Sequence, residues 1–310
     1  MVSKRRKHLA IFVGGSRIRV ILQFRSTNFG TCSYCKKTAI HYAIIAGSNG
    51  IVNALLRRGA SVARPPGYKY SALHTAVIHD KPDMCELVIR WDGRLDEVTD
   101  EGSTPLQLAC AAPGLRNRLQ IIQVLLRHGA DPNANSRFVS YSSPFLAPLT
   151  EYLRWGVGLS SRINWDVEEG GEERYHPEDV RYSIVHALLL YGAKVHFCAA
   201  STSSRMKDPH GILHSVQFLE KAPDVFALLV SAATKVDLDS VQAYSSLSDE
   251  QRKVLLAVGK GPRDLRTLVH LFLRDYFRPN FPKSVSVLPL PEVVKRFLLF
   301  NPPPEENHVT

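Results

Sequence analysis

Thr38-Ala39-Ile40-His41-Tyr42-Ala43, Ser71-Ala72-Leu73-His74-Thr75-Ala76 and Thr104-Pro105-Leu106-Gln107-Leu108-Ala109 begin 33 residues apart, and this spacing decides the fold. A fixed period of this length marks stacked units, each too small to bury its own apolar face alone. Every opening leads to an apolar helix and a glycine turn: Leu55-Leu56-Arg57-Arg58-Gly59-Ala60, Leu87-Val88-Ile89-Arg90-Trp91-Asp92-Gly93 and Leu125-Leu126-Arg127-His128-Gly129-Ala130-Asp131. Thr or Ser suits the N-cap of the first helix and Pro105 its first turn. The leucine pairs face neighbouring helices, and Gly is expected to end the second helix in a left-handed conformation.

These openings and turns resemble ankyrin repeats. Two weaker copies follow, Ser143-Pro144-Phe145 through Val185 to Leu190 and Tyr191-Gly192-Ala193, then Ile212-Leu213-His214 through Val225 to Val230. About five repeats are expected over residues 36–245. An insertion near 156–180 interrupts the fourth, with Asp166, Glu168, Glu169, Glu172, Glu173, Glu178 and Asp179 clustered in it. A charge run of this kind ordinarily forms a solvated loop; as a repeat insertion emerging on one face of a solenoid it is also a candidate target contact. His41 and His74 invite a metal or catalytic reading, but at repeat openings the resemblance implies turn-stabilising hydrogen bonds instead.

Beyond the repeats, Ser248-Asp249-Glu250-Gln251 has the capping-box pattern of a helix through Val254 to Val258, which Gly259 to Pro262 stops. A new module begins near Pro262. The segment from Asp264 to Phe277 predicts an amphipathic helix with Leu265, Leu268, Val269, Phe272 and Leu273 on one face, and such a face ordinarily packs into a core. Leu288-Pro289-Leu290-Pro291 and a short helix from Glu292 to Phe300 follow. After an ankyrin-like array, this order resembles the SOCS box of the ankyrin repeat and SOCS box protein family, and the resemblance covers residues 36–300. The fold class it implies is all-α: an ankyrin-repeat solenoid followed by a small C-terminal helical SOCS box. The expected layout is a basic N-terminal segment at 1–35, repeats at 36–245, a helical linker at 246–261, the SOCS box at 262–300 and a tail at 301–310.

The resemblance implies that Leu265, Leu268, Val269 and Phe272 bind elongin, with Leu265 entering elongin C, and that Leu288, Pro289, Leu290 and Pro291 select cullin-5. The chain departs from the family pattern at Val269, where Cys is usual, and at Asp264, where Ser or Thr is common. Val matches Cys in size and apolarity, and Asp is itself a favourable N-cap. The implied function is that of a substrate-recognition subunit of an elongin B/C and cullin-5 RING E3 ubiquitin ligase, a non-catalytic adaptor binding targets through its repeats. The alternative is an ankyrin scaffold outside ubiquitin chemistry, whose C-terminal helices only cap the solenoid.

Composition narrows the other classes. The 310 residues are 45% hydrophobic, enough to bury substantial cores, and no run of eighteen apolar residues predicts a membrane span. The basic start from Met1 to Lys7 is followed by only Leu9 to Val13 before Gly14-Gly15, Arg17 and Arg19, too short an apolar stretch for a secretory signal. Cys32, Cys35, Cys85, Cys110 and Cys198 are odd in number and scattered, which suits a reducing compartment, cytoplasmic or nuclear. Cys32-x-x-Cys35 is half of a zinc pattern without a second Cys/His pair at zinc spacing, so neither metal nor cofactor is expected. There is no nucleophile elbow, Walker loop, HExxH or dinucleotide fingerprint, and an enzyme is not expected. The first acidic residue is Asp80, and residues 1–79 carry 13 Lys and Arg, so the net charge of +10 originates in the first quarter. Such an end attracts acidic surfaces, but no module that reads nucleic acid accompanies it.

Overall fold

The computed structural model describes residues 8–13, 16–21, 36–134, 146–156, 181–198, 208–278 and 280–300. Cys32 and Cys35, the opening Ser143-Pro144-Phe145, the acidic insertion over 157–180 and the tail at 301–310 lie outside these residues. Near the N-terminus, β1 (His8–Val13) pairs antiparallel with β2 (Ser16–Ile21), from His8 opposite Ile21 to Val13 opposite Ser16. This hairpin is an addition to the all-α expectation, drawn from β-branched and aromatic residues that favour strands. The rest of the chain divides into two compact units, one holding 36–130 and the other 131–134 and 146–300.

The first unit is three stacked helix pairs: α1 (Ala39–Ile45) with α2 (Asn49–Arg57), α3 (Ala72–Ile78) with α4 (Pro82–Arg90), and α5 (Pro105–Ala111) with α6 (Arg118–Arg127). Ile40, Ile44, Leu73, Val77, Leu106 and Leu125 are buried between them. Capping boxes open the first helix of each pair. The Ser71 N–H donates to Nδ1 of His74 at 3.2 Å, while the His74 N–H donates to Oγ of Ser71 at 3.3 Å. In the third repeat Gln107 takes the histidine's place, its Oε1 accepting from the Thr104 N–H at 2.8 Å. Gly59 and Gly129 close α2 and α6 at φ of 81° and 99°. In the second repeat the left-handed residue is Asp92, at φ 65°, rather than the expected Gly93. The Gly93 N–H instead donates to the Val88 carbonyl at 3.0 Å. Between α5 and α6 the connection is six residues, 112–117, against three in each of the first two pairs, and the buried Arg118 ties it to α5. The guanidinium donates to the carbonyls of Ala109 at 2.9 Å, Cys110 at 3.0 Å and Ala112 at 2.6 Å, satisfying the end of α5.

The second unit begins with α7 (Pro148–Gly156), packed on α8 (Tyr182–Leu190). Two-residue strands β3 (His196–Phe197) and β4 (Lys235–Val236) pair in parallel. Between them lie α9 (Leu213–Val216), a 3-10 turn at Gln217–Lys221 and α10 (Pro223–Ser231). Next, α11 (Leu238–Ala243) packs against α12 (Asp249–Lys260) so closely that a Cβ at Gly259 would stand 2.6 Å from Leu238. The capping box at Ser248 is present, with the Gln251 N–H donating to Oγ of Ser248 at 3.3 Å. The C-terminal module is three helices: α13 (Leu265–Tyr276), α14 (Phe281–Val287) and α15 (Glu292–Leu298). The middle one was not anticipated. Phe281, Val285 and Leu298 form the module's core, with Leu273, Phe277, Leu290 and Leu299 packed on them and Leu190 of α8 added from the fourth repeat.

Candidate functional site

Helix α13 is turned opposite to the usual sense. Leu265, Phe272 and Tyr276 are 72%, 65% and 71% exposed, and Leu268 and Val269 are exposed between them. Of the five residues expected on its apolar face, only Leu273 packs inward. The side buried against the module instead carries His270 and Arg274, 3% and 0% exposed. Their spacing of four residues puts them on one face, and aromatic rings enclose them. The His270 ring centroid lies 4.3 Å from that of Phe300 and 5.4 Å from that of Phe297, and Arg274 sits 6.0 Å from the Phe300 centroid. Burial, with the Arg274 charge beside it, pushes the His270 pKa down to about 4, so the ring is neutral at physiological pH. Burial also lowers Arg274, to about 10, which leaves a charged guanidinium with no hydrogen-bond partner among the described residues on any of its three nitrogens.

The helix thus buries a histidine and an arginine while exposing a stripe of leucine, valine and aromatic side chains. Tyr276 extends the stripe and stacks on Phe272, their centroids 6.0 Å apart. Its position eleven residues after Leu265 continues the same helical period, which is the signal in the sequence that identifies it. Asp264 occupies the N-cap of α13, but its side chain makes no capping hydrogen bond, contrary to expectation.

The second predicted segment has two sides. The Leu290 N–H donates to the Leu288 carbonyl at 2.8 Å, closing a tight turn whose corner is Pro289. Pro289 and Pro291 are exposed, Leu288 is half-buried, and Leu290 packs on the Phe281, Val285 and Leu298 core. Helix α15 then docks on α8: Nε2 of His186 donates to the Leu299 carbonyl at 2.8 Å, and the Tyr182 hydroxyl to that of Phe300 at 3.3 Å. The module thus packs on α8 while leaving the outer face of α13 open.

Away from this module, His41 and His74 have structural work. Nε2 of His41 donates to the Tyr70 carbonyl and Nε2 of His74 to that of Ser103, both at 3.2 Å and both 29 residues ahead, tying each repeat to the next. Burial lowers both rings to about 4. Cys198, His196 and Asp208 form a small cluster in the second unit, with Nδ1 of His196 donating to Asp208 at 2.8 Å and the Cys198 thiol 3.5 Å from the same oxygen. Burial and the Asp208 charge push that thiol up to about 12, leaving no thiolate for nucleophilic chemistry at neutral pH. Among the described residues no group of three His, Cys, Asp or Glu side chains is placed to hold a metal ion, and no helix is long and apolar enough to cross a membrane.

Comparison with known proteins bears on both units. The family signature described as Ankyrin repeats (3 copies) matches residues 65–136, and that described as Ankyrin repeat matches residues 35–65. Ankyrin repeat and SOCS box protein 6 of Homo sapiens is 26% identical over 243 residues, 76% of this chain and 47% of the relative; the Pongo abelii protein gives the same figures. The Mus musculus protein of that name is 42% identical over 84 residues, 26% of this chain and 19% of the relative. The chain therefore spans about half the length of the first two relatives. The crystal structure of the ankyrin repeat domain of Bcl-3, described as a member of the IkappaB family, shares 26% identity over 36% of this chain and 46% of that one, with a TM-score of 0.31. Residues 35–136 carry ankyrin repeats, and over 76% of its length the chain is similar to an ankyrin repeat and SOCS box protein.

Proposed function

We propose that the chain is a substrate-recognition subunit of an elongin B/C and cullin-5 RING E3 ubiquitin ligase, its repeats holding a target and its C-terminal module docking the ligase. The observation that carries this reading is the outward apolar stripe on α13. Leu265, Leu268, Val269 and Phe272 are exposed together, as a helix laid in a partner's groove requires, with Tyr276 extending them. The stripe coincides with the residues that the SOCS-box resemblance assigns to elongin. The protein itself transfers no group. Its contribution is proximity, raising the local concentration of target lysines near a charged conjugating enzyme held by the same assembly.

Leu265→Ala separates docking from folding. Because Leu265 is 72% exposed, its truncation is expected to change stability by less than about 0.5 kcal/mol. As a central anchor it is expected to weaken elongin B/C binding by about 2 kcal/mol, some thirtyfold. Isothermal titration with elongin B/C and a thermal melt of the same variant measure the two; unchanged affinity rejects the docking face.

A second reading, a scaffold whose last helices only cap the repeats, draws on the packing of Leu190 into the module core and the two hydrogen bonds from α8 to Leu299 and Phe300. Capping uses the inner side of the module and docking the outer side of α13, so the two roles are compatible. The scaffold reading alone leaves the exposed stripe without a purpose.

A further inference from the structure

The second helix of each of the first three repeats ends on an arginine. Arg57 is the last residue of α2, Arg90 of α4 and Arg127 of α6. The left-handed residues that follow, Gly59, Asp92 and Gly129, stand two positions after each arginine, so the three occupy the same place in their repeats. Arg58, Trp91 and His128 lie between arginine and turn, and all six side chains are exposed. Trp91 leaves 40% of its surface open in the middle repeat. In the fourth repeat the corresponding last residue of α8 is Leu190, which packs into the module core, so the row is confined to the first three.

A cation in the last turn of a helix complements its carbonyl end, and one per helix meets that need. That does not account for Arg58 beside Arg57 or for the open indole of Trp91. Nor is the charge answered nearby. Residues 36–79 and 102–130, which hold α1, α2, α3, α5 and α6, contain no Asp or Glu. Among the described residues Arg90 is the one arginine of the row in an ion pair, with Glu86 at 2.6 Å, and with side chains 67% and 43% exposed that bridge contributes little.

Spacing selects the partner. Neighbouring helices pack about 8–10 Å apart, and the arginines recur at about that interval along the stack. A polyproline-II segment turns once every three residues and rises about 3.1 Å per residue, returning every third side chain to one side after about 9 Å. Each guanidinium can then take a carboxylate through two parallel hydrogen bonds. A nucleic-acid strand, with a phosphate about every 3.4 Å, is nearly three times too dense for this row.

We propose that Arg57, Arg90 and Arg127 form a ladder that binds an acidic protein segment in extended conformation, a carboxylate at every third residue, with Trp91 lying against the segment. The ladder belongs to the first unit and α13 to the second, so it holds whether or not the module docks a ligase.

The test titrates the full chain with a fluorescent peptide of four Glu-Pro-Pro triplets. Wild type is expected to bind it, and Arg57→Ala combined with Arg127→Ala to raise the Kd about tenfold with the melting temperature unchanged. Lys81→Ala combined with Arg116→Ala removes the same charge from the opposite ends of α4 and α6, about 14 Å along the helices and beyond the screening length, and is expected to change the Kd less than about twofold. The basic residues of 1–35 are the same in every variant, so their attraction for the peptide is common to all. A peptide of the same composition with its glutamates in one block is expected to bind more weakly. Equal losses from the two variant pairs, equal binding of the block peptide, or no binding by wild type would overturn the ladder. An oligouridylate of equal charge that binds more tightly than the peptide, and loses affinity in the Arg57 and Arg127 variant, would overturn it in favour of a nucleic-acid partner.

Discussion

At the scale of single residues, His41 and His74 show how a repeat opening is secured. Each ring accepts at Nδ1 from the N-cap backbone of its own repeat and donates at Nε2 to a carbonyl of the next, so each neutral imidazole joins two units. Burial penalises the charged ring, with Lys37 beside His41 and Arg64 beside His74 adding to the effect, and both pKa values fall to about 4. Above pH 6.5 the rings are neutral in folded and unfolded chains alike and add no pH dependence. Below it the unfolded chain takes up protons that the folded chain refuses, and stability declines as pH falls from 6.5 to about 4. At about 1.4 kcal/mol per pKa unit, each histidine costs up to about 3 kcal/mol at the acid end. Gln107 performs the same capping without a titrating group. His41→Gln combined with His74→Gln is therefore expected to flatten the decline in urea-melt stability between pH 6.5 and 4. An unchanged slope would show that other groups govern it.

At the scale of elements, α13 is the informative helix because its two faces were legible to different degrees. The period of Leu265, Leu268, Val269 and Phe272 is plain in the sequence, but period alone assigns such a face to a core. What reverses the assignment is packing: Phe281 of α14, Phe297 of α15 and Phe300 just beyond it, all within thirty residues, enclose His270, and Phe300 also faces Arg274, contacts that no local pattern encodes. The repeats were legible for the converse reason, since cap, leucine pair and turn all lie within 33 residues. Where the period slips, other devices take over, such as Asp92 in the left-handed position and Arg118 bonded to the end of α5. Helix α14, only seven residues long, has no capping box to announce it. Without a hydrogen-bond partner among the described residues, the buried Arg274 guanidinium is a cost to the module. Arg274→Met, which keeps the apolar stem and removes the buried charge, is expected to stabilise the chain by about 1–3 kcal/mol in chemical denaturation. A destabilised variant would show that the arginine is paired in solution.

At the scale of the whole molecule, the first unit offers stacked repeats whose interior is fully used, and the second ends in a module whose outer helix face is not. That division is what an adaptor needs: one surface for a target and another for the machinery that modifies it. The relatives that carry both elements in their names are about twice as long as the aligned region, so the target surface is a matter for experiment. The most direct measurement is co-expression of the full chain with elongin B and elongin C, followed by gel filtration of the complex purified through a tag on the chain. A stoichiometric ternary complex that Leu265→Ala and Phe272→Ala disrupt, while each variant remains folded, is the predicted result. A folded wild-type chain that elutes without elongin would contradict the account and leave the module as a cap on its own repeats.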